Sequence, residues 1–200
     1  MNQIKISGII YSPIEFEYSY MHENFFRFTI ESERNSGESD ILICRVPEHL
    51  IENFSTGDVV SVVGEIRTRN VTIDGKRHLN VFIFVKELSA CEDECDKNEV
   101  ELTGFIVKKP IHRCTPSGRN ITDLMLASQR PYGKSDYIPC IVWGRNADWA
   151  EDLPVGKKVM LYGRFQSREY QKVIGDVTKT RTAFEVSGSY IGESEDKENG

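Results

Sequence analysis

One stretch of this chain is written twice, and that constrains its fold more than any bulk property. Residues 59–69 read VVSVVGEIRTR and residues 158–168 read KVMLYGRFQSR, alike in alternation, in the glycine and in the basic close. Gly57 and Gly156 precede them, Gly64 and Gly163 lie within them, and both pairs are 99 residues apart. Gly8 and Gly104, 96 residues apart, hold one place in two earlier strands. A repeat this long means two domains of one fold, not a solenoid of small units.

Within each copy, apolar residues alternate over short runs bounded by turn residues, the pattern of half-buried strands. The first copy predicts strands at Ile4–Ile10, Phe25–Ile30, Ile41–Val46, Val59–Arg67 and Leu79–Val85. Pro47–Phe54 reads as a short helix, since Leu50, Ile51 and Phe54 share one side. Asn35-Ser36-Gly37-Glu38 is a turn, and Asp74-Gly75 is a two-residue hairpin signal. Gly8 inside its strand points to a bulge or a barrel corner. The second copy repeats this with strands at Glu101–Val107, Asn120–Ser128, Tyr137–Trp143 and Lys158–Tyr162, and a helix at Asn146–Asp152.

Five short strands with one small helix between the third and fourth is the order of an OB barrel. The expected fold is therefore all-β: two tandem five-stranded OB-fold barrels, each with a short helix between strands 3 and 4. Residues 1–90 form one domain and 98–190 the other. An acidic linker, 91–97, joins them, and an acidic disordered tail, 191–200, follows.

No run approaches the roughly 18 apolar residues of a membrane span, and the opening MNQIKIS lacks the features of a signal peptide. A soluble, cytoplasmic protein is expected. Five cysteines, odd in number and irregularly spaced, make no disulfide framework. Cys91 and Cys95 have neither a flanking histidine nor a second pair, so no metal or other cofactor is expected. Net charge is −6, but residues 98–190 carry 14 Lys and Arg against 10 Asp and Glu, while residues 1–90 carry 9 against 13. Local potential, not the total, governs attraction of phosphates.

Chemistry concentrates in Val155–Lys172, where Arg164, Phe165, Ser167, Arg168 and Tyr170 mix cations with rings on one strand. Rings accept any base by stacking while cations follow the backbone, so single-stranded nucleic acid suits this mixture. A polar hairpin face is the plain alternative. The carboxylates of the basic half (Asp123, Asp136, Asp148, Glu151, Asp152, Glu169) are scattered over different elements, and His112 stands alone in a loop. Metal-assisted or acid–base cleavage needs such groups clustered, so an enzyme is not expected.

The second half resembles the bacterial single-stranded DNA-binding protein family over about Asn98–Ile191. The likeness rests on VELTGFIVKKPIHRCTPSGRNITDLMLAS, DYIPCIVWGRNA and GKKVMLYGRFQSREY, in the family's order and spacing. It implies that single-stranded DNA wraps over aromatics at Tyr132, Tyr137, Trp143 and Tyr170, with Phe165 a further candidate. Trp143 as a core ring is the alternative, and Trp149 fits packing against the barrel end. Cationic candidates are Lys108, Arg113, Arg119, Arg130, Arg164, Arg168, Lys172 and Arg181, since neutralised phosphates make such binding salt-dependent.

At the positions of Tyr137, Trp143 and Tyr170 the first half has Ile41, Pro47 and Val71, though it keeps Arg67, Arg69 and Arg77. A diverged barrel that binds DNA weakly or pairs subunits is expected. The two-domain arrangement implies a homodimer, with replication or repair proteins as further partners and no membrane. The family's acidic tail ends in a Pro-Phe pair that recruits partners; ESEDKENG keeps only the acidity. The resemblance implies sequence-independent binding of single-stranded DNA in replication, repair and recombination. A primosome-type or mobile-element adaptor acting through protein–protein contacts is the alternative.

Overall fold

The structure is a computed structural model and describes residues 1–34, 36–73, 75–91, 97–174 and 177–194. It divides into two compact units. The N-terminal unit holds Ile4–Glu99 with Phe165–Glu185; the C-terminal unit holds Met1–Gln3, Val100–Arg164 and the chain from Val186 on.

In the N-terminal unit the strands are β1 (Asn2–Ile10), β2 (Glu15–Tyr20), β3 (Glu23–Glu33), β4 (Ser39–Pro47), β5 (Val59–Ile73) and β6 (Lys76–Ala90). β1 pairs with β3 (Ile9 opposite Glu31) and with β5 (Ile4 opposite Gly64). β3 pairs with β4, β4 runs parallel to β6 (Cys44 beside Ile83), and β5 pairs with β6. The circuit β1-β3-β4-β6-β5 closes on itself, which leaves no free edge in the barrel. Ile6, Phe28, Ile30, Leu42, Ile66 and Ile83 fill it, all at 1% exposure or less.

The C-terminal unit repeats the circuit with β7 (Asn98–Ile106), β9 (Asn120–Gln129), β10 (Ser135–Trp143), β12 (Val177–Glu193) and β11 (Lys158–Ile174). β7 pairs with β9 and β11, β9 with β10, and β10 runs parallel to β12. The expected OB architecture is present in both units. Helix α1 (Glu48–Ile51) follows β4 and helix α2 (Arg145–Glu151) follows β10, each where the sequence placed it. Two strands were not expected: β2 and β8 (Ile111–Cys114), which lie against the outer sides of β3 and β9. Neither buries a single side chain, so neither shows a period-2 signal.

The repeated glycines mark close approaches. A Cβ at Gly8 would lie 2.0 Å from the Glu31 carbonyl oxygen, and one at Gly163 would lie 2.1 Å from that of Ser187. No side chain fits there, which is why the motif needs glycine. The bulge expected at Gly8 is not a register shift of β1; the shift falls at Gly64, in the β5–β6 ladder.

Some expectations need correction or fall outside view. Trp149 is 40% exposed, and the fully buried residues of α2 are Ala147 and Ala150. β11 runs well beyond Tyr162, and its residues from Phe165 on lie in the N-terminal unit. β12 reaches Glu193, with Ile191 buried. Residues 92–96 of the linker, the tail from 195, and Asn35 and Asp74 of the two turns lie outside the described residues. Gly75 adopts φ +73°, and Ile73 pairs with Lys76 across the two-residue turn. Cys91 is disulfide-bonded, whereas Cys44, Cys114 and Cys140 are in no disulfide. No helix among the described residues is long and apolar enough to cross a membrane.

Candidate nucleic-acid interface

On the C-terminal unit an outer face forms because β-strand side chains alternate and directly paired residues share a face. Ile138, Cys140 and Val142 point inward on β10, which turns Tyr137 and Trp143 outward, 49% and 37% exposed. Tyr137 lies opposite Ala127 on β9, Ala127 opposite Phe105 on β7, and Phe105 opposite Lys158 on β11. This row places a ring, a methyl group, a second ring and a cation side by side across four strands. Phe105 is exposed, and the sequence reading missed it. Its signal was the outward phase of β7, set by buried Leu102 and Ile106.

Trp143 ends β10 with its indole Nε1 donating to the Ser187 hydroxyl at 3.1 Å. That bond fixes the ring edge while the side chain stays exposed. Beside it lies a recess of about 570 Å³ lined by Gly118, Arg119, Asn120, Gly144, Arg145 and Asp148. Gly144 makes the turn, with φ +55°, and its N–H donates to the Asn120 carbonyl. Asn120 in turn donates to Asp148 at 2.8 Å. Arg145 is exposed at this recess and is a second residue the sequence reading missed.

The cationic candidates separate by environment. Lys108 and Arg119 are exposed. Arg113 is exposed but pairs with Asp123 at 2.8 Å. Arg130 is held by the fully buried carboxylate of Asp136, so it serves the fold and not a phosphate: a correction. Arg164 is half-buried.

Other candidates belong to the N-terminal unit. Phe165 is completely buried against Phe184, ring centroids 6.2 Å apart, so it is a core residue and cannot stack on a base. Tyr170 is 37% exposed, with the Arg168 guanidinium 6.0 Å from its ring. Arg168 also donates to Glu185 at 3.3 Å. Arg181 is half-buried, 3.5 Å from His78 Nδ1. The side chains of Tyr132 and Lys172 lie outside the described residues.

The corresponding outer face of the N-terminal barrel is aromatic after all, by residues the sequence reading passed over. Tyr18 stacks on Phe25 (4.9 Å, 16°), Arg67 lies 3.7 Å above Phe84, and Arg45 lies 3.9 Å above Phe82. These rings are covered by the barrel's own cations and neighbours, and Phe25, Arg45 and Phe82 are buried. Arg45 bonds Glu17 at 2.6 Å, and Glu65 accepts from Arg67 and Lys86. Burial pushes the Glu65 carboxyl up, but the bonds from Lys86 and Arg67 outweigh it and hold the group below its ordinary value.

Among the described residues no cluster of three or more His, Cys, Asp or Glu could hold a metal.

Residues 97–191 match the model of the single-strand binding protein family. That segment is similar to the single-strand binding protein family. Its relatives include a single-stranded DNA-binding protein of Clostridium tetani, 36% identical over 81 residues, covering 37% of this chain and 56% of that one. Single-stranded DNA-binding protein 1 of Staphylococcus aureus is 35% identical over 85 residues, covering 39% and 51%. The chain thus spans about half the length of the curated relatives it matches. The crystal structure of wild-type single-stranded DNA binding protein from Thermus aquaticus superposes with a TM-score of 0.77 at 18% identity, covering 98% of this chain and 93% of that one. This establishes the fold over both halves, including the half that the family model leaves unmatched.

Proposed function

We propose that this protein binds single-stranded DNA without sequence preference. Tyr137 and Trp143 stack bases on the outer face of the C-terminal barrel, and Phe105 extends that platform. Tyr170 offers a further ring on the distal part of β11. Lys108, Arg119, Arg145 and Lys158 meet phosphates. The observation that carries this reading is the pair of exposed rings on β10, one with its edge anchored to Ser187, set in a basic half of the chain. Its relatives' names point the same way. The roles that follow are protection of single strands in replication, repair and recombination, with no reaction catalysed, in the cytoplasm. Two barrels per chain suit a homodimer, with replication or repair proteins as partners.

The test is a fluorescence titration with oligo-dT at low and high salt, on wild type and on Trp143→Ala. Loss of a stacked ring costs about 1–3 kcal/mol, and log affinity falls linearly with log salt as counterions are released. Quenching that weakens with salt and in Trp143→Ala supports the reading. Absence of binding at micromolar protein would sink it and leave a protein–protein adaptor as the better account.

A further inference from the structure

The N-terminal barrel contains an ion pair with a fully buried carboxylate that also binds a residue outside its own strands. Asp40 on β4 is fully buried, and a buried carboxylate must be paired and hydrogen-bonded to be tolerated. Arg34 donates to it twice, Nε to Oδ2 at 2.9 Å and Nη2 to Oδ1 at 2.6 Å. The pair then turns to a segment far away in sequence. The Ser167 N–H donates to Asp40 Oδ1 at 2.7 Å, and its hydroxyl donates to the same oxygen at 3.2 Å. Arg34 Nη2 donates to the Ser167 carbonyl at 2.8 Å. Both main-chain polar groups of one residue are thus held by one ion pair, where a strand would ordinarily rely on a neighbouring strand.

Ser167 lies between groups that matter to the proposed site. Gln166 and Arg168 both donate to Glu185, itself only 5% exposed. Tyr170 follows three residues on, exposed, and shares a strand face with Arg168. On the N-terminal barrel Phe82 and Phe84 are capped by Arg45 and Arg67, while Tyr11, Phe16 and Tyr20 are exposed. Its charged pair is committed to the strand that bears Tyr170.

We propose that Asp40 and Arg34 are positioning residues for nucleic-acid binding: they fix Ser167 and thereby present Arg168 and Tyr170 to the strand. The N-terminal barrel acts in binding as the anchor of this segment. This inference rests on the function proposed above.

The experiment uses the full chain and two readouts. Amide exchange of Ser167 reports the anchor without DNA, and oligo-dT affinity reports its consequence. Asp40→Ala accelerates Ser167 exchange and weakens binding about five- to ten-fold, near the lower end for loss of one stacked ring. Asp40→Asn keeps an acceptor for the Ser167 amide and restores most of both. In the Asp40→Ala background, Tyr170→Ala costs little more, because a misplaced ring has little left to lose. Full additivity of the two substitutions, or unchanged affinity with accelerated exchange, overturns the positioning role while leaving the proposed function intact. Failure of wild type to bind oligo-dT overturns both, whatever the exchange data give. If Asp40→Ala does not fold, Arg34→Lys, which keeps the charge but loses the fork that also holds the Ser167 carbonyl, is paired with Tyr170→Ala and read in the same way.

Discussion

At the scale of single residues, two aromatic side chains with similar sequence surroundings have opposite jobs. Phe165 and Tyr170 are both on β11 among cations, but Phe165 is fully buried and Tyr170 is exposed. Phe165→Ala should therefore cost about 3–5 kcal/mol of stability, seen as a lower urea midpoint with unchanged slope. Phe165→Leu should keep near-normal affinity for oligo-dT. Trp143 depends on a small neighbour: Ser187 holds its Nε1 at 3.1 Å. Ser187→Ala should weaken oligo-dT binding less than Trp143→Ala does, by about 0.5–1.5 kcal/mol, the net worth of one hydrogen bond. Equal affinity for Ser187→Ala and wild type in the fluorescence titration would mean the ring needs no such anchor.

At the scale of elements, the legibility of the sequence followed burial. Strands with one buried face announced themselves by alternation, and Gly8, Gly64, Gly104 and Gly163 marked crossings where a side chain cannot fit. β2 and β8 were invisible because they bury nothing. Tyr137 and Trp143 were legible through the family resemblance, since Cys140, Ile141 and Val142 are buried in a row and break the alternation of β10, whereas Phe165 was misplaced because a cation-rich stretch hides an inward phase. Arg130 misled for a related reason: its partner Asp136 is six residues on, in the next strand, and sequence carries no sign that this carboxylate is buried. The β5–β6 ladder gives a pH prediction. Glu65 titrates below its ordinary 4.5, so its bonds to Arg67 and Lys86 contribute stability above that value and lose it as pH falls through the lowered one. Glu65→Gln should lower the melting temperature at pH 7 by an amount equivalent to less than about 1 kcal/mol. Well below pH 4.5 the variant and wild type should melt alike; an equal gap at both pH values would refute the linkage.

For the whole molecule, two barrels share a circuit of strands but not a surface. One leaves Tyr137 and Trp143 open; the other covers Phe82 and Phe84 with Arg45 and Arg67. A chain that already supplies two barrels reaches a four-barrel assembly by pairing once. Sedimentation equilibrium at micromolar concentration should give twice the 22.9 kDa chain mass; a mass of one chain would remove the homodimer from the proposal.

The Arg34–Asp40 pair has its copy 96 residues on, in Arg130 and Asp136, so both barrels hold a buried carboxylate at the same place while their surface aromatics differ. In the first copy that charge grips Ser167, a residue inside the stretch that matches the family. The portion of the chain recognisable by ancestry and the portion that holds itself together are therefore offset from each other. A polypeptide trimmed to the matched residues would retain its lineage intact and lose the acceptor on which one of its own strands rests.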